Sequence, residues 1–167
     1  MALTLYGAAW SCLASAADAP SAAGAAPDPL AGTGYDPAEA NYPGVGDMRR
    51  AWQHWTLNCQ GCHRPDGSGT IGTAPRLAGT VAKFLHAPGG RDYLGQVPGI
   101  ANSPLASADL AEVVNWMLWR FDREHVPADF QPYTADEIGR LRRTPLSIGA
   151  RQLRHKLLAQ ATRHTTE

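Results

Sequence analysis

Two cysteines and a histidine stand close together in the segment Cys59-Gln60-Gly61-Cys62-His63. Thiols three positions apart can add across the two vinyl groups of one porphyrin and form two thioethers. The residue after the second cysteine is then held beneath the iron, where a neutral imidazole is a strong axial ligand. The pattern therefore predicts one covalently bound haem c, attached to Cys59 and Cys62, with His63 as a ligand of its iron.

Two other uses of a paired-cysteine motif are less well supported by the sequence. A structural zinc site needs four protein ligands, and the only further cysteine is Cys12, so no second pair is available. A thioredoxin-like redox pair belongs in a βαβ setting, and the chain has no visible strand pattern. Haem attachment is the favoured interpretation.

The composition limits the classes of protein to be considered. The 167 residues predict one compact domain with tails. The 15 Lys and Arg are balanced by 15 Asp and Glu, and the sequence pI is near 7.0. This balance excludes a general polyanion binder, so nucleic acid is not an expected partner. The 13 prolines and 17 glycines indicate that much of the chain is irregular.

The N-terminus has the character of an export signal. Residues 2–16 are apolar and uncharged, and they end in a small-residue triplet at 14–16. We therefore predict a signal peptide at 1–16 and a periplasmic location for the remainder. The first basic residue is only Arg49, which is unusual for a signal peptide, and an N-terminal core helix is the alternative. No later apolar run approaches the roughly 20 residues needed to cross a bilayer.

The spacing of apolar residues predicts an all-α fold. Residues 17–46 are rich in Ala, Pro and Gly and are expected to form a linker, since such a stretch buries little surface. Asp47 is placed to cap a helix that runs to about Leu57, and Ser107 to cap the clearest helix of the chain. That second helix has an apolar face at helical spacing, formed by Leu110, Val113, Val114, Met117, Leu118 and Phe121.

Glycine and proline divide the segment between these two helices. They predict loops at 61–74 and 95–104, with a short helix at 80–86 between them.

Residues 127–167 are expected to form a basic helical extension. Thr134 and Glu137 have the spacing of a capping box, and a second helix is predicted from about Ser147 to Ala161. From 138 to 167 there are seven Lys and Arg against one acid. This excess is either a solvated helix face or a docking surface for an acidic partner such as a dehydrogenase or oxidase.

Several separate positions resemble the class I c-type cytochromes. They are Ala51, Trp55, the haem loop at 58–69, the segment at 74–79, the stretch at 100–110 and Trp116. The resemblance covers residues 47–122, and it assigns 47–126 to a small cytochrome c-like helical domain around one haem. It implies that Ala51 and Trp55 let the first helix cross the last helix closely at Trp116. It also implies that the carbonyl of Pro75 accepts the Nδ1–H of His63, which fixes the ring orientation.

The usual sixth iron ligand is missing from the sequence. In that family a methionine shortly before the last helix binds the iron and raises its potential, but residues 95–104 contain neither Met nor His. His86 is the first candidate to replace it and Met117 the second. The alternatives are an open or water-bound iron, or a ligand from another chain. Weaker candidates, which face the wrong side or lie in solvent, are Met48, His54, His125, His155 and His164.

The resemblance implies an electron carrier rather than an enzyme. The expected function is electron transfer between redox partner proteins in the periplasm, as a free carrier or as a subunit of a respiratory or dehydrogenase complex. The alternative is an iron with an open position, which binds or reacts with oxygen, nitric oxide or peroxide.

Overall fold

A computed structural model of the chain describes residues 41–164, and this part of the chain is all-α, as predicted. Its α-helices are α1 Met48–Asn58, α2 Gln60–His63, α3 Gly90–Gln96, α4 Pro98–Ala101, α5 Ser107–Asp122, α6 Ala135–Leu141 and α7 Ala150–His164. Two 3-10 helices cover Ala82–His86 and Arg123–His125. The predicted signal peptide and most of the predicted linker lie outside the described residues. None of the helices within 41–164 combines the length and the apolar character that spanning a bilayer requires.

The first helix begins where the sequence predicts. The side chain of Asp47 accepts a hydrogen bond of 2.9 Å from the backbone N–H of Arg50 and so satisfies one of the free donors of α1. On the inner face of α1, Ala51 and Trp55 are each only 1% exposed. The ring centroids of Trp55 and Trp116 lie 5.7 Å apart. The close crossing of α1 and α5 that the resemblance implied is therefore present.

The predicted apolar face of α5 is buried in full. The prediction that Ser107 caps this helix is wrong, however, because Ser107 is its first residue. Ala106 occupies the capping position, and no side chain there bonds to the helix N-terminus.

The predicted loop at 95–104 is wrong in part, because it contains the end of α3 and the whole of α4. Pro98 starts α4, where its missing N–H removes no helical hydrogen bond. A Cβ on Gly90 would lie 1.8 Å from the carbonyl oxygen of Phe84. Only glycine therefore allows α3 to start so close to the 3-10 helix Ala82–His86, which begins two residues later than predicted.

The predicted capping box of the extension is half formed. Thr134 Oγ1 accepts from the N–H of Glu137 at 3.2 Å, but the carboxylate of Glu137 turns to Arg91 instead, with two bonds of 2.6 and 2.7 Å. Helix α7 begins at Ala150 rather than at Ser147.

The buried side chain of Asn115 in α5 joins two distant parts of the chain. Its amide nitrogen donates to the carbonyls of Gly44 and Tyr133, both at 3.0 Å, and its oxygen accepts from the N–H of Tyr133 at 2.8 Å. All its strong hydrogen-bonding groups are thus used, which buried amides require. The extension belongs to the same compact unit as the helices before it.

Candidate functional site

The two cysteines and the histidine lie at the junction of α1 and α2. The N–H of His63 donates to the carbonyl of Cys59 at 3.0 Å, which closes one helical turn. Residues 59, 62 and 63 are therefore spaced three and four positions apart on a helical turn and share one face. Both cysteines are free thiols.

The ring of His63 is oriented by a backbone carbonyl. Its Nδ1 lies 3.0 Å from the oxygen of Pro75, as the resemblance implied. A carbonyl only accepts, so Nδ1 carries the proton and Nε2 keeps the lone pair that a metal needs. Burial lowers the pKa of His63, although the bond to Pro75 opposes this, and the charge of Arg154 lowers the pKa further. The neutral imidazole is thus favoured.

Residues 59–77, which we call the proximal wall, are held chiefly by hydrogen bonds within the segment, and Arg154 of α7 adds one bond to the carbonyl of Arg76. Thr70 Oγ1 donates to the carbonyl of Cys62 at 2.8 Å. The N–H of Gly69 donates to the carbonyl of His63 at 2.9 Å. Gly69 has φ +77°, and a Cβ there would lie 2.6 Å from the oxygen of Ala74 and 2.7 Å from the carbonyl of Pro75. Glycine at this position therefore lets the loop fold tightly enough to bring Pro75 to His63.

Residues 90–105, which we call the distal wall, are held by hydrogen bonds to the extension. Arg142 donates to the carbonyls of Ala101, Ser103 and Leu105, the last at 2.8 Å. The side-chain amide of Gln96 donates to Thr144 Oγ1 at 2.9 Å. The backbone carbonyl of Gln96 accepts from the N–H of residue 146 at 2.9 Å. The extension therefore fixes the segment that would cover the far side of a haem.

A cavity of about 780 Å³ lies between the two walls. This volume falls in the range of about 300–1,000 Å³ that is usual for cofactor sites. Cys59, Cys62 and His63 line one side, and aliphatic and aromatic side chains make up much of the remainder. The buried indole N–H of Trp55, another lining residue, has no hydrogen-bond partner. The cavity, its thiols and its imidazole fit a covalently attached haem.

The cysteines fit other chemistries less well. Burial, with a smaller contribution from the nearby Cys62, raises the pKa of the Cys59 thiol to about 11. Redox-active and metal-binding cysteines have lowered pKa values instead. Within residues 41–164, no three His, Cys, Asp or Glu side chains are placed to share one metal ion.

His86, the first candidate for the sixth ligand, is not brought to the cavity. Its Nε2 lies 2.8 Å from the carbonyl oxygen of His125, to which it donates, and His86 is not among the residues that line the cavity. His125 in turn bonds through Nδ1 to the buried carboxylate of Asp122 at 2.5 Å. The prediction that His86 is the sixth iron ligand is therefore wrong, because its Nε2 is used by the His125 carbonyl away from the cavity.

Met117, the second candidate, does line the cavity and is 6% exposed. His155 lines it too, and its side chain is exposed, as expected.

Helix α7 contributes residues that the sequence did not assign to the site. Arg151, Arg154 and His155 line the cavity together with Ala150. Their spacing places them on one helical face, and this spacing can be recognised in the sequence. The sequence could not show that this face of the basic helix meets the cavity, because that depends on where α7 packs.

Comparison with known proteins gives relatives that match about half of the chain. No protein-family model matches the chain. Two proteins named cytochrome c-552, both from Thermus thermophilus, are each 33% identical to it over 107 residues. The match covers 53% of this chain and 82% and 72% of the two relatives.

Proposed function

The chain belongs to the c-type cytochromes, and from this premise we propose that it is a periplasmic monohaem carrier that passes single electrons between redox partner proteins. The observation that carries the proposal is the His63 Nδ1 bond to the Pro75 carbonyl at 3.0 Å, beside two free thiols on the same cavity. A ring fixed in this tautomer can offer Nε2 to an iron held by thioethers.

Four residues of the proximal wall have defined tasks in this proposal. Cys59 and Cys62 would hold the haem through thioether bonds, His63 would bind its iron, and Pro75 fixes the ring of His63. When bound, the haem supplies a one-electron change between ferric and ferrous iron. The hydrogen bond from His63 increases the basicity of its Nε2, which is one way in which a protein adjusts the potential.

The apolar lining supports electron transfer rather than substrate chemistry. Leu94, Ile100 and Met117 are each at most 6% exposed, and all three line the cavity. Such a surrounding keeps water from the iron and penalises the extra charge of the ferric state, which raises the potential.

Electrons would enter and leave near the exposed cysteine edge, where the side chain of Cys62 is accessible. Leu57 and Ile71, close to that edge in sequence, are 81% and 104% exposed and give a partner apolar surface to contact. The basic residues of the extension favour an acidic dehydrogenase or oxidase, as a transient partner or within a complex. Co-purification that is lost at high salt would support the transient partner, and retention would support a stable complex.

A second function is favoured by one specific observation. Residues 95–104 contain no Met or His, and the Nε2 of His86 is used by the His125 carbonyl. An iron without a sixth protein ligand could bind oxygen, nitric oxide or peroxide.

Optical spectra of the haem-loaded protein, with and without carbon monoxide, separate the two functions. Low-spin ferric spectra and no carbon monoxide binding to the reduced protein are expected for the carrier. High-spin spectra with rapid carbon monoxide binding would replace it with the second function. Met117→Leu and His155→Gln, which nearly preserve side-chain size, identify the ligand, since only the ligating position changes the spin state.

Bare polypeptide mass from a host competent in haem attachment would contradict both functions.

A further inference from the structure

The cavity is basic where α7 meets it. Besides His63, the described lining residues include Arg76, Arg151, Arg154 and His155, and they include no Asp or Glu. A cavity of this character accommodates a ligand that is apolar over most of its surface and carries negative charge at one edge.

Arg154 is the basic residue held most firmly at this edge. One guanidinium nitrogen donates to the carbonyl of Arg76 at 3.1 Å, and the group lies 5.3 Å from the centre of the Phe84 ring. Burial lowers the pKa of Arg154, and within residues 41–164 it forms no ion pair with a carboxylate. A partly buried guanidinium is stabilised by a carboxylate, and the described part of the chain does not supply one.

Haem carries two propionate carboxylates at one edge of an apolar ring. A guanidinium can bind a carboxylate through two parallel hydrogen bonds, which gives both energy and orientation. We propose that Arg154, together with Arg151 one turn earlier, binds the haem propionates, so that the C-terminal extension forms part of the cofactor site. This inference rests on the proposed haem function and goes beyond it, because it assigns α7 a role in holding and tuning the cofactor.

The expected effect on the iron has a definite sign. Ionised propionates stabilise the more positive ferric state, and a paired arginine offsets them, so Arg154 favours the ferrous state. The same pairing lowers the pKa of the propionate, which keeps it ionised at neutral pH and makes the potential independent of pH there. The charge of Arg154 already acts on His63, whose pKa it lowers.

The test compares Arg154→Gln and Arg151→Gln with Lys156→Gln in the full-length haem-loaded protein. Lys156 is an exposed residue of the same helix that does not line the cavity, so its replacement removes the same charge at a different place. For Arg154→Gln we expect the reduction equilibrium constant to fall about tenfold, or about 59 mV for one electron. This is the size expected for one charge at about 10 Å and an effective dielectric of about 20. Arg151→Gln should give a smaller fall.

The pH dependence gives a second, independent measurement. In Arg154→Gln the potential should fall as pH rises from 5 to 8, because the unpaired propionate now ionises within that range, whereas Lys156→Gln should remain flat. Arg154→Lys keeps the charge, so its reduction potential should stay close to that of the wild-type protein. This variant keeps the proposal testable if Arg154→Gln does not fold.

Equal potentials and equally flat pH profiles in Arg154→Gln and Lys156→Gln, with haem attached in both, would overturn the propionate assignment and leave the electron-transfer function intact. Absence of covalent haem from the wild-type protein would instead remove the proposed function itself.

Discussion

The proximal and distal walls of the cavity are stabilised in different ways. On the proximal wall, the contacts that orient the histidine join residues 8 to 12 positions apart, as in the bonds from Thr70 to Cys62 and from His63 to Pro75. On the distal wall, Arg142 and Gln96 form hydrogen bonds across 37 to 50 positions. The contacts that orient the histidine thus lie within one short segment, although Arg154 also bonds to Arg76 on this wall, whereas the hydrogen bonds of the distal wall require the extension to have folded.

The largest effect is expected from removing the haem anchor of the proximal wall. The double variant Cys59→Ala, Cys62→Ala should lose all covalently bound haem and much of its helical structure, because the cofactor fills the centre of a small core. Mass spectrometry and circular dichroism measure the two losses. Cys12→Ala is the control and should keep the haem. Haem mass retained by the double variant would show that attachment occurs elsewhere.

The next largest effect tests how tightly the proximal loop is folded. Gly69→Ala should cost about 3 kcal/mol of unfolding free energy, from backbone strain at positive φ and from contact with the Pro75 carbonyl. Gly72→Ala is the matched control, since Gly72 has φ +79° with no atom within 4 Å of the added Cβ, and it should cost about 1 kcal/mol. Denaturant titration of the haem-loaded proteins gives both values. Equal costs would mean that close packing against Pro75 does not matter.

A smaller effect is expected from releasing the distal wall. Arg142→Ala removes the donors to three carbonyls and should cost about 2 kcal/mol. Amide hydrogen exchange at residues 97–105 should speed up, while exchange on the proximal wall should not change. Arg143→Ala is the control, because Arg143, which lies just after α6, donates to the carbonyl of Gly139 in that helix at 3.0 Å and not to the distal wall. Unchanged exchange at 97–105 would show that the distal wall is stable without the extension.

The smallest effect concerns the ion pair that joins α6 to α3. Glu137→Gln weakens the two-bond contact with Arg91 and should cost about 1 kcal/mol. Asp136→Asn is matched, because both acids lie in the first turn of α6 but Asp136 is exposed. The difference in thermal midpoint between the two variants isolates the contact, and a zero difference would show that it does not stabilise the fold.

The same contrast explains what could be predicted from the sequence. Features that depend on residues close together in sequence, or on a recognisable resemblance, can be predicted. The haem motif is one of them. The structure contains three others, which are the cap at Asp47, the crossing at Trp55 and the contact between His63 and Pro75. Helix α4 has only four residues. The sequence does not predict it, because the glycine and proline in this segment have low helix propensity.

The role of the extension could not be predicted for a different reason. Whether a basic helix faces water or a cavity depends on its rotation and position in the folded molecule, which charge content does not encode. From the sequence, Arg142 and Arg154 are therefore only two charges of a basic extension. Likewise, His86 was a reasonable candidate from its place in the chain, and only the three-dimensional position of the His125 carbonyl removes it.

The amide of Asn115 has a consequence for how this protein can be divided. It binds Gly44, ahead of the first helix, and Tyr133, beyond the region of family resemblance. A fragment trimmed to the cytochrome-like region alone would leave this amide without partners in the interior. Any minimal version for grafting or fusion must therefore keep both flanking segments, so the smallest autonomous unit is longer than the family resemblance suggests.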